Sequence, residues 1–216
     1  MNLEDIDHLL TTTPSVRKKL DLDRPVEPEV VADCLRLALQ APTAGGQQTW
    51  RWLVVRDQEI KNELGKFFRS VGSAYVDNVE KRLGDAAHSP AGKRSLSSGR
   101  FLIDNIERVP VMVIPCQLGR PDDGNQTLSA FYGSIFPAVW SFQLALRSRG
   151  LGSTLTTYHL TYEAEAAKIL GIPENVTQVG LLPVAYTTVS DFKPAPRNPL
   201  EQVAFADRWE APLHGE

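Results

Sequence analysis

Cysteine is scarce in this sequence: 216 residues contain two, Cys34 and Cys116. They lie far apart, match no CxxC spacing and sit among apolar neighbours. That excludes a disulfide framework and points to two core residues of a reduced, cytoplasmic protein. An excess of basic charge is also missing. The net charge is -3, so there is no electrostatic footprint for nucleic acid. The opening Met-Asn-Leu-Glu-Asp-Ile-Asp carries acids where a secretory signal carries lysine or arginine, so none is expected. The stretch between Asp123 and Arg147 has no charge, yet Asn125, Gln126, Ser129, Ser134, Pro137, Ser141 and Gln143 make it too polar for a membrane span. His8, His88, His159 and His214 show no metal-ligand spacing, and none adjoins an obvious nucleophile. GxGxxG, GxxxxGK[ST] and GxSxG are all absent, so nothing supports a Rossmann site, a P-loop or a nucleophile elbow.

What is present reads as an ordinary globular chain, with 42% hydrophobic and 23% charged residues and no internal repeat or linker. A short helix is expected over 3–10, ended by Thr11-Thr12-Thr13-Pro14. Val30, Val31, Cys34, Leu35 and Ala38 recur at helical spacing and predict a helix over 28–40, with Pro28 in its first turn. A strand follows at 51–56, and Asp57 caps a helix running to about Ser70. Residues 71–100 show weak apolar periodicity. They read as a helical start near 74–84 and then a mobile loop, either a solvated insertion or a lid over a site. Val109 to Pro115 is a continuous apolar run, as in a central strand.

A helix over 127–148 is apolar nearly all round and must be covered on several faces, with a second subunit as the expected cover. Gly133 and Pro137 predict a kink inside it. Gly150 ends that helix by a left-handed cap. Ser153 to Tyr158 reads as a short strand, and Thr161 as the cap of a helix over 162–170 closed by Gly171. Val179 to Tyr186 is another strand, in which Pro183 signals a bulge or an edge. The proline-rich tail, 194–216, is expected to wrap over a partner surface.

The most informative stretch is Ala41-Pro42-Thr43-Ala44-Gly45-Gly46-Gln47-Gln48-Thr49-Trp50. A Gly-Gly loop of small polar residues between a helix and a strand lets backbone approach a ligand closely; a simple helix-to-strand turn is the alternative. Ser15 and Arg17 lie two apart in an extended segment, so both side chains face one way. A hydroxyl beside a guanidinium suits a phosphate, and Arg197 offers a second guanidinium. Both arginines also read as solvated surface residues.

Taken together, four segments resemble the FMN-dependent nitroreductase family, over about Thr12 to Trp209. Thr12-Thr13-Pro14-Ser15-Val16-Arg17-Lys18-Lys19-Leu20 is similar to its phosphate-binding segment, and Ala41 to Trp50 to its flavin-contacting loop. Tyr132-Gly133-Ser134-Ile135-Phe136-Pro137-Ala138-Val139, with Gly150-Leu151-Gly152-Ser153-Thr154, resembles its central helix and the turn beneath the flavin. Leu170-Gly171-Ile172-Pro173-Glu174 and Pro196-Arg197-Asn198-Pro199-Leu200 resemble its C-terminal signature.

The resemblance implies an α+β nitroreductase-like fold, with a mixed, mainly antiparallel sheet flanked by helices, built as an intertwined homodimer with two FMN sites at the interface. It implies that Ser15, Arg17 and Arg197 hold the phosphate. Pro42, Thr43, Ala44 and Gly46 reach the flavin from the partner chain. Ser153, Thr154, Leu155 and Thr156 line the isoalloxazine, with a backbone N–H near N5. Electrons then pass from NAD(P)H through the flavin to a nitroaromatic, quinone or related small-molecule acceptor by a ping-pong mechanism, without a side-chain acid or base. Two alternatives stand beside this. One is a specialised flavin dehydrogenase or reductase for a single metabolite, with Tyr75, Lys81, Arg82 and Arg94 as specificity elements. The other is a non-catalytic flavin-binding protein. Thr13, Gly46 and Ala195 stand where the family often has a basic residue, an asparagine and a lysine, which implies weaker FMN binding.

Overall fold

The computed structural model describes residues 2–213; His214 lies outside them. Contacts divide the chain into two units, Met1–Pro14 with Asp191–Glu216, and Ser15–Ser190. The smaller unit carries α1 (Leu3–Thr11), whose Asn2 cap accepts the Glu4 N–H, and a 3-10 turn at Leu200–Gln202. Phe205 and Pro212 pair there as an antiparallel bridge.

The larger unit begins with helix α2 (Pro28–Ala38), which buries Val31, Cys34 and Ala38 at the expected spacing. Strand β1 (Trp50–Val55) follows. Asp57 then caps α3 by accepting the Ile60 N–H at 3.0 Å. Here the sequence expectation fails. α3 does not stop near Ser70 but runs over Gln58–Leu83, burying Lys61, Leu64, Gly65, Phe68, Gly72 and Val76. A 3-10 segment, Gly84–His88, leads to α4 (Pro90–Asn105), capped by Ser89. Residues 71–100 are therefore mostly helical rather than a loop. The cause is packing: a Cβ at Gly72 would lie 2.9 Å from Ile103 Cγ1 and 3.0 Å from Tyr158 Cδ2. Glycines that weaken intrinsic helix propensity are what allow α3 and α4 to approach.

Strand β2 (Val111–Leu118) is buried almost throughout. The apolar stretch after it forms two helices, α5 (Asn125–Gly133) and α6 (Phe136–Arg147), broken where Gly133 and Pro137 predict. Gly150, at φ 75°, turns the chain into β3 (Leu151–Ser153), which shares only Ser153 with the strand expected over 153–158. A 3-10 segment, Tyr158–Tyr162, runs into α7 (Glu163–Leu170), which Gly171 closes in the left-handed region. Thr161 is not its cap; Tyr162 holds that position without a side-chain bond. The strand expected over 179–186 is β5 (Leu182–Tyr186), and a short strand the sequence reading did not anticipate, β4 (Val176–Gln178), precedes it.

The sheet order is β1-β2-β5-β3, with β4 also on β2, and every strand pair is antiparallel. Helices with a mostly antiparallel sheet make this an α+β fold. Pro183 is not on an edge strand, because β5 lies between β2 and β3. It is tolerated because β3 pairs β5 only from Val184 onward, so Pro183 falls beyond the end of that ladder. The main apolar cluster joins α2 and α6 to Val111 and Val113 of β2 and to Leu182 and Val184 of β5. Among the described residues no helix is long and apolar enough to cross a membrane.

Candidate functional site

The segment after Pro14 lies directly on β3. The Val16 N–H donates to the Ser153 carbonyl at 2.9 Å, and the Asp21 N–H to the Tyr186 carbonyl at 2.8 Å. Gly152 makes this approach possible: a Cβ there would lie 2.9 Å from Val16 Cβ and 2.8 Å from Thr187 Cγ2. Arg17 is thereby carried to a cavity of about 250 Å³. Leu155, Thr156, Thr157 and Tyr158 line it from one segment, Phe68 and Tyr75 from α3, and Gly99, Leu102 and Ile103 from α4. Among the described residues the Arg17 guanidinium has no carboxylate partner. An unpaired, half-buried guanidinium facing a cavity is a ready anion site.

The loop below Arg17 is pinned to the fold at one end. The Thr156 hydroxyl and N–H both donate to the Leu181 carbonyl, at 2.7 Å and 3.0 Å, and the Leu181 N–H returns to the Thr156 carbonyl at 2.8 Å. Gln143 donates to the Ser153 hydroxyl at 3.1 Å. Thr154, between them, is fully buried, and its hydroxyl has no partner among the described residues. Buried polar atoms are nearly always hydrogen-bonded. The Thr154 hydroxyl is thus an unsatisfied polar atom in the segment that continues into the cavity lining at Leu155.

The Gly-Gly loop sits elsewhere in the chain. Ala44–Gly46 forms a 3-10 turn, with Gly45 at φ 58° and Gly46 at φ 65°, values that glycine adopts without strain. The Ala44 N–H donates to the Ser134 hydroxyl at 3.0 Å, which ties the loop to the break between α5 and α6. Pro42, Ala44 and Gly46 are exposed and Thr43 is half-buried. None of the four lines the Arg17 cavity. Ser15 is exposed and does not line it either. Arg197, in the smaller unit, is exposed and donates to the Pro196 carbonyl at 3.1 Å. Of the anticipated site residues, the structure brings Arg17, Leu155 and Thr156 to one cavity.

Sequence reading named Tyr75 but missed Phe68 and Tyr158, the rest of an aromatic wall. Tyr158 meets Phe68 edge-on at 5.0 Å and Tyr75 at 5.4 Å between ring centres. Of Tyr75, Lys81, Arg82 and Arg94, Tyr75 lines this cavity; Lys81 borders a separate open depression with Asp77, Glu80, Asp85 and His88. Burial, and then Tyr75, push the Tyr158 hydroxyl above its ordinary value against the pull of Arg17, so it stays protonated. His159 is fully buried, and burial lowers it to about 4. Burial pushes the Cys116 thiol up to about 12, which leaves it inert. Among the described residues no group of three His, Cys, Asp or Glu could hold a metal.

The sequence model of the Nitroreductase family matches residues 10–186. An iodotyrosine deiodinase from Thermotoga neapolitana is 28% identical over 169 residues, 76% of this chain and 79% of that protein. A protein from Archaeoglobus fulgidus, provisionally named NADH dehydrogenase/NAD(P)H nitroreductase, is 32% identical over 186 residues, 85% of this chain and 86% of its own. Among solved structures, oxidized iodotyrosine deiodinase bound to FMN and 3-iodo-L-tyrosine superposes with a TM-score of 0.69 at 22% identity, covering 96% of this chain and 100% of its own.

Proposed function

Since the chain belongs to the nitroreductase family, we propose that it is an FMN-dependent oxidoreductase that passes electrons from NAD(P)H to a nitroaromatic, quinone or related small-molecule acceptor. The observation that carries this reading is the unpaired Arg17 guanidinium sharing a cavity with Leu155 and Thr156, next to the orphan Thr154 hydroxyl. Bound there, FMN would supply the hydride and electron chemistry. The chain's own residues bind and orient. Arg17, with Ser15 beside it in the same segment, holds the phosphate. Ser153, Thr154, Leu155 and Thr156 line the ring, with the Thr154 hydroxyl as a polar partner. Thr156 keeps that segment in place through Leu181.

No side chain is needed as acid or base. Tyr158 stays protonated, and His159 is neutral and fully buried beside the loop. A cavity of about 250 Å³ falls below the range of roughly 300–1,000 Å³ usual for small-molecule pockets. That supports a half-site completed by Pro42, Thr43, Ala44 and Gly46 of a second copy. Phe136 and Trp140, 36% and 42% exposed on the apolar helix α6, supply a face for such a homodimer.

The similarity to an iodotyrosine deiodinase over 76% of the chain favours a second reading within the same fold, a flavin enzyme specialised for one metabolite. Anaerobic absorbance spectra of the FMN-loaded protein separate the readings. Flavin bands that bleach with NADPH or NADH and return with a nitroaromatic or quinone support the first. Bleaching without return favours the specialised enzyme. Bands that persist with either nicotinamide favour a binding role without turnover. Failure to take up FMN overturns the cofactor assignment.

A further inference from the structure

Arg17 stands without other cations in its cavity. Thr13 and Ala195 occupy two positions where the family pattern often has a basic residue. Ser15 lies outside the cavity lining, and Arg197 belongs to the other unit of the chain. A phosphate presents three strong acceptor oxygens, more than one guanidinium fork satisfies. Further donors must come from the lining itself.

The side-chain hydroxyls there belong to Tyr75, Thr156, Thr157 and Tyr158. The Thr156 hydroxyl already donates to the Leu181 carbonyl at 2.7 Å. Tyr75 and Thr157 are exposed, whereas Tyr158 is half-buried. Arg17 acts electrostatically on the Tyr158 hydroxyl, which has no hydrogen-bond partner among the described residues. Its ring is held by three residues of α3. Phe68 meets it edge-on with ring centres 5.0 Å apart, and Tyr75 lies at 5.4 Å. Gly72 leaves space for the ring, since a Cβ there would stand 3.0 Å from Tyr158 Cδ2. A donor fixed by packing loses little freedom when it binds. Burial keeps this phenol protonated, so it donates to an anion rather than repelling it.

Resting on the flavin oxidoreductase reading, we propose that Tyr158 is a second phosphate-holding residue, its hydroxyl donating beside the Arg17 guanidinium to the FMN phosphate. Tyr158 lies outside every segment that carries the family resemblance, so this role is the chain's own answer to the cations missing at Thr13 and Ala195.

Tyr158→Phe tests this, because it removes the hydroxyl and keeps the ring. The apoprotein is titrated with FMN and with riboflavin, which lacks the phosphate, and bound FMN is examined by phosphorus NMR. FMN affinity should fall roughly ten- to hundredfold, the range for a hydrogen bond to a charged group, and riboflavin affinity by less than about twofold. The phosphorus resonance of bound FMN should move in the variant. Wild-type FMN affinity, an unmoved phosphorus resonance, or equal losses for the two flavins overturns the assignment. A wild-type protein that takes up neither flavin overturns the underlying reading instead.

Discussion

Gly152→Ala is the sharpest perturbation this fold offers, because one added carbon meets two β-branched side chains at once. The new Cβ would stand 2.9 Å from Val16 Cβ and 2.8 Å from Thr187 Cγ2. Val16 is almost wholly buried, and its clashing atom is attached to the backbone, so no rotamer change relieves the overlap. The segment from Ser15 to Arg17 must lift from β3, stretching the 2.9 Å bond from the Val16 N–H to the Ser153 carbonyl. Overpacking of this kind costs about 1–3 kcal/mol. At about 2–4 °C per kcal/mol for a chain of this size, the melting temperature should fall by roughly 2–12 °C. Because Arg17 moves with the segment, FMN affinity should also fall, by about two- to twelvefold if one hydrogen bond's worth of positioning is lost. Thermal melts with and without FMN, and a flavin fluorescence titration, read both effects. The control is Gly133→Ala at the end of α5, where a Cβ meets nothing within 4 Å. There the loss of unfolded-state freedom should leave stability unchanged or raise it by about 0.4–1 kcal/mol. If Gly152→Ala melts and binds FMN like wild type, the close approach does not position Arg17 and the site argument fails.

Three further outcomes are expected. Arg17→Ala should lower FMN occupancy of the purified protein far more than it lowers the melting temperature; full flavin at wild-type affinity would refute the phosphate assignment. Burial lowers His159 from 6.5 to about 4, so its neutral form contributes stability that is complete above pH 6.5 and lost as pH falls toward 4. The contribution is on the order of 3 kcal/mol, and urea melts across that window should show a flatter pH dependence in His159→Gln than in wild type. Cys34 and Cys116 are fully buried and both thiols are raised by burial, so iodoacetamide at neutral pH should label neither until the protein unfolds.

Where local chemistry determines structure, the sequence is a good guide. Pro28, Asp57 and Gly171 mark helix ends through missing donors, a capping carboxylate and a left-handed residue, and the structure uses all three in those ways. Gly133 and Pro137 likewise announce the break between α5 and α6. Where two distant segments decide, the sequence is silent. Gly72 looks like a helix weakener until Ile103 and Tyr158 are seen against it. Pro183 looks like an edge marker until β3 is found to end opposite Val184. The site divides in the same way. Arg17 and the segment through Thr156 are recognisable as contiguous motifs. Phe68, Leu102, Ile103 and Tyr158 come to the cavity from helices far apart in sequence, and no spacing along the chain connects them.

The position of β5 has a bearing on how the molecule is made. Among the described residues β3 pairs with no strand except β5, and β5 begins only at Leu182. A nascent chain that has emerged through α7 can already pair β1 with β2, but Leu151, Gly152 and Ser153 have no strand to lie against. The last strand to leave the ribosome must insert between two earlier ones, a long-range closure of the kind that slows folding and leaves edges open meanwhile. Ser153, whose carbonyl receives Val16, gains its strand neighbour Val184 only at that step. Cofactor uptake should therefore be a late event of synthesis, and chains stalled before Leu182 should emerge unable to hold a flavin.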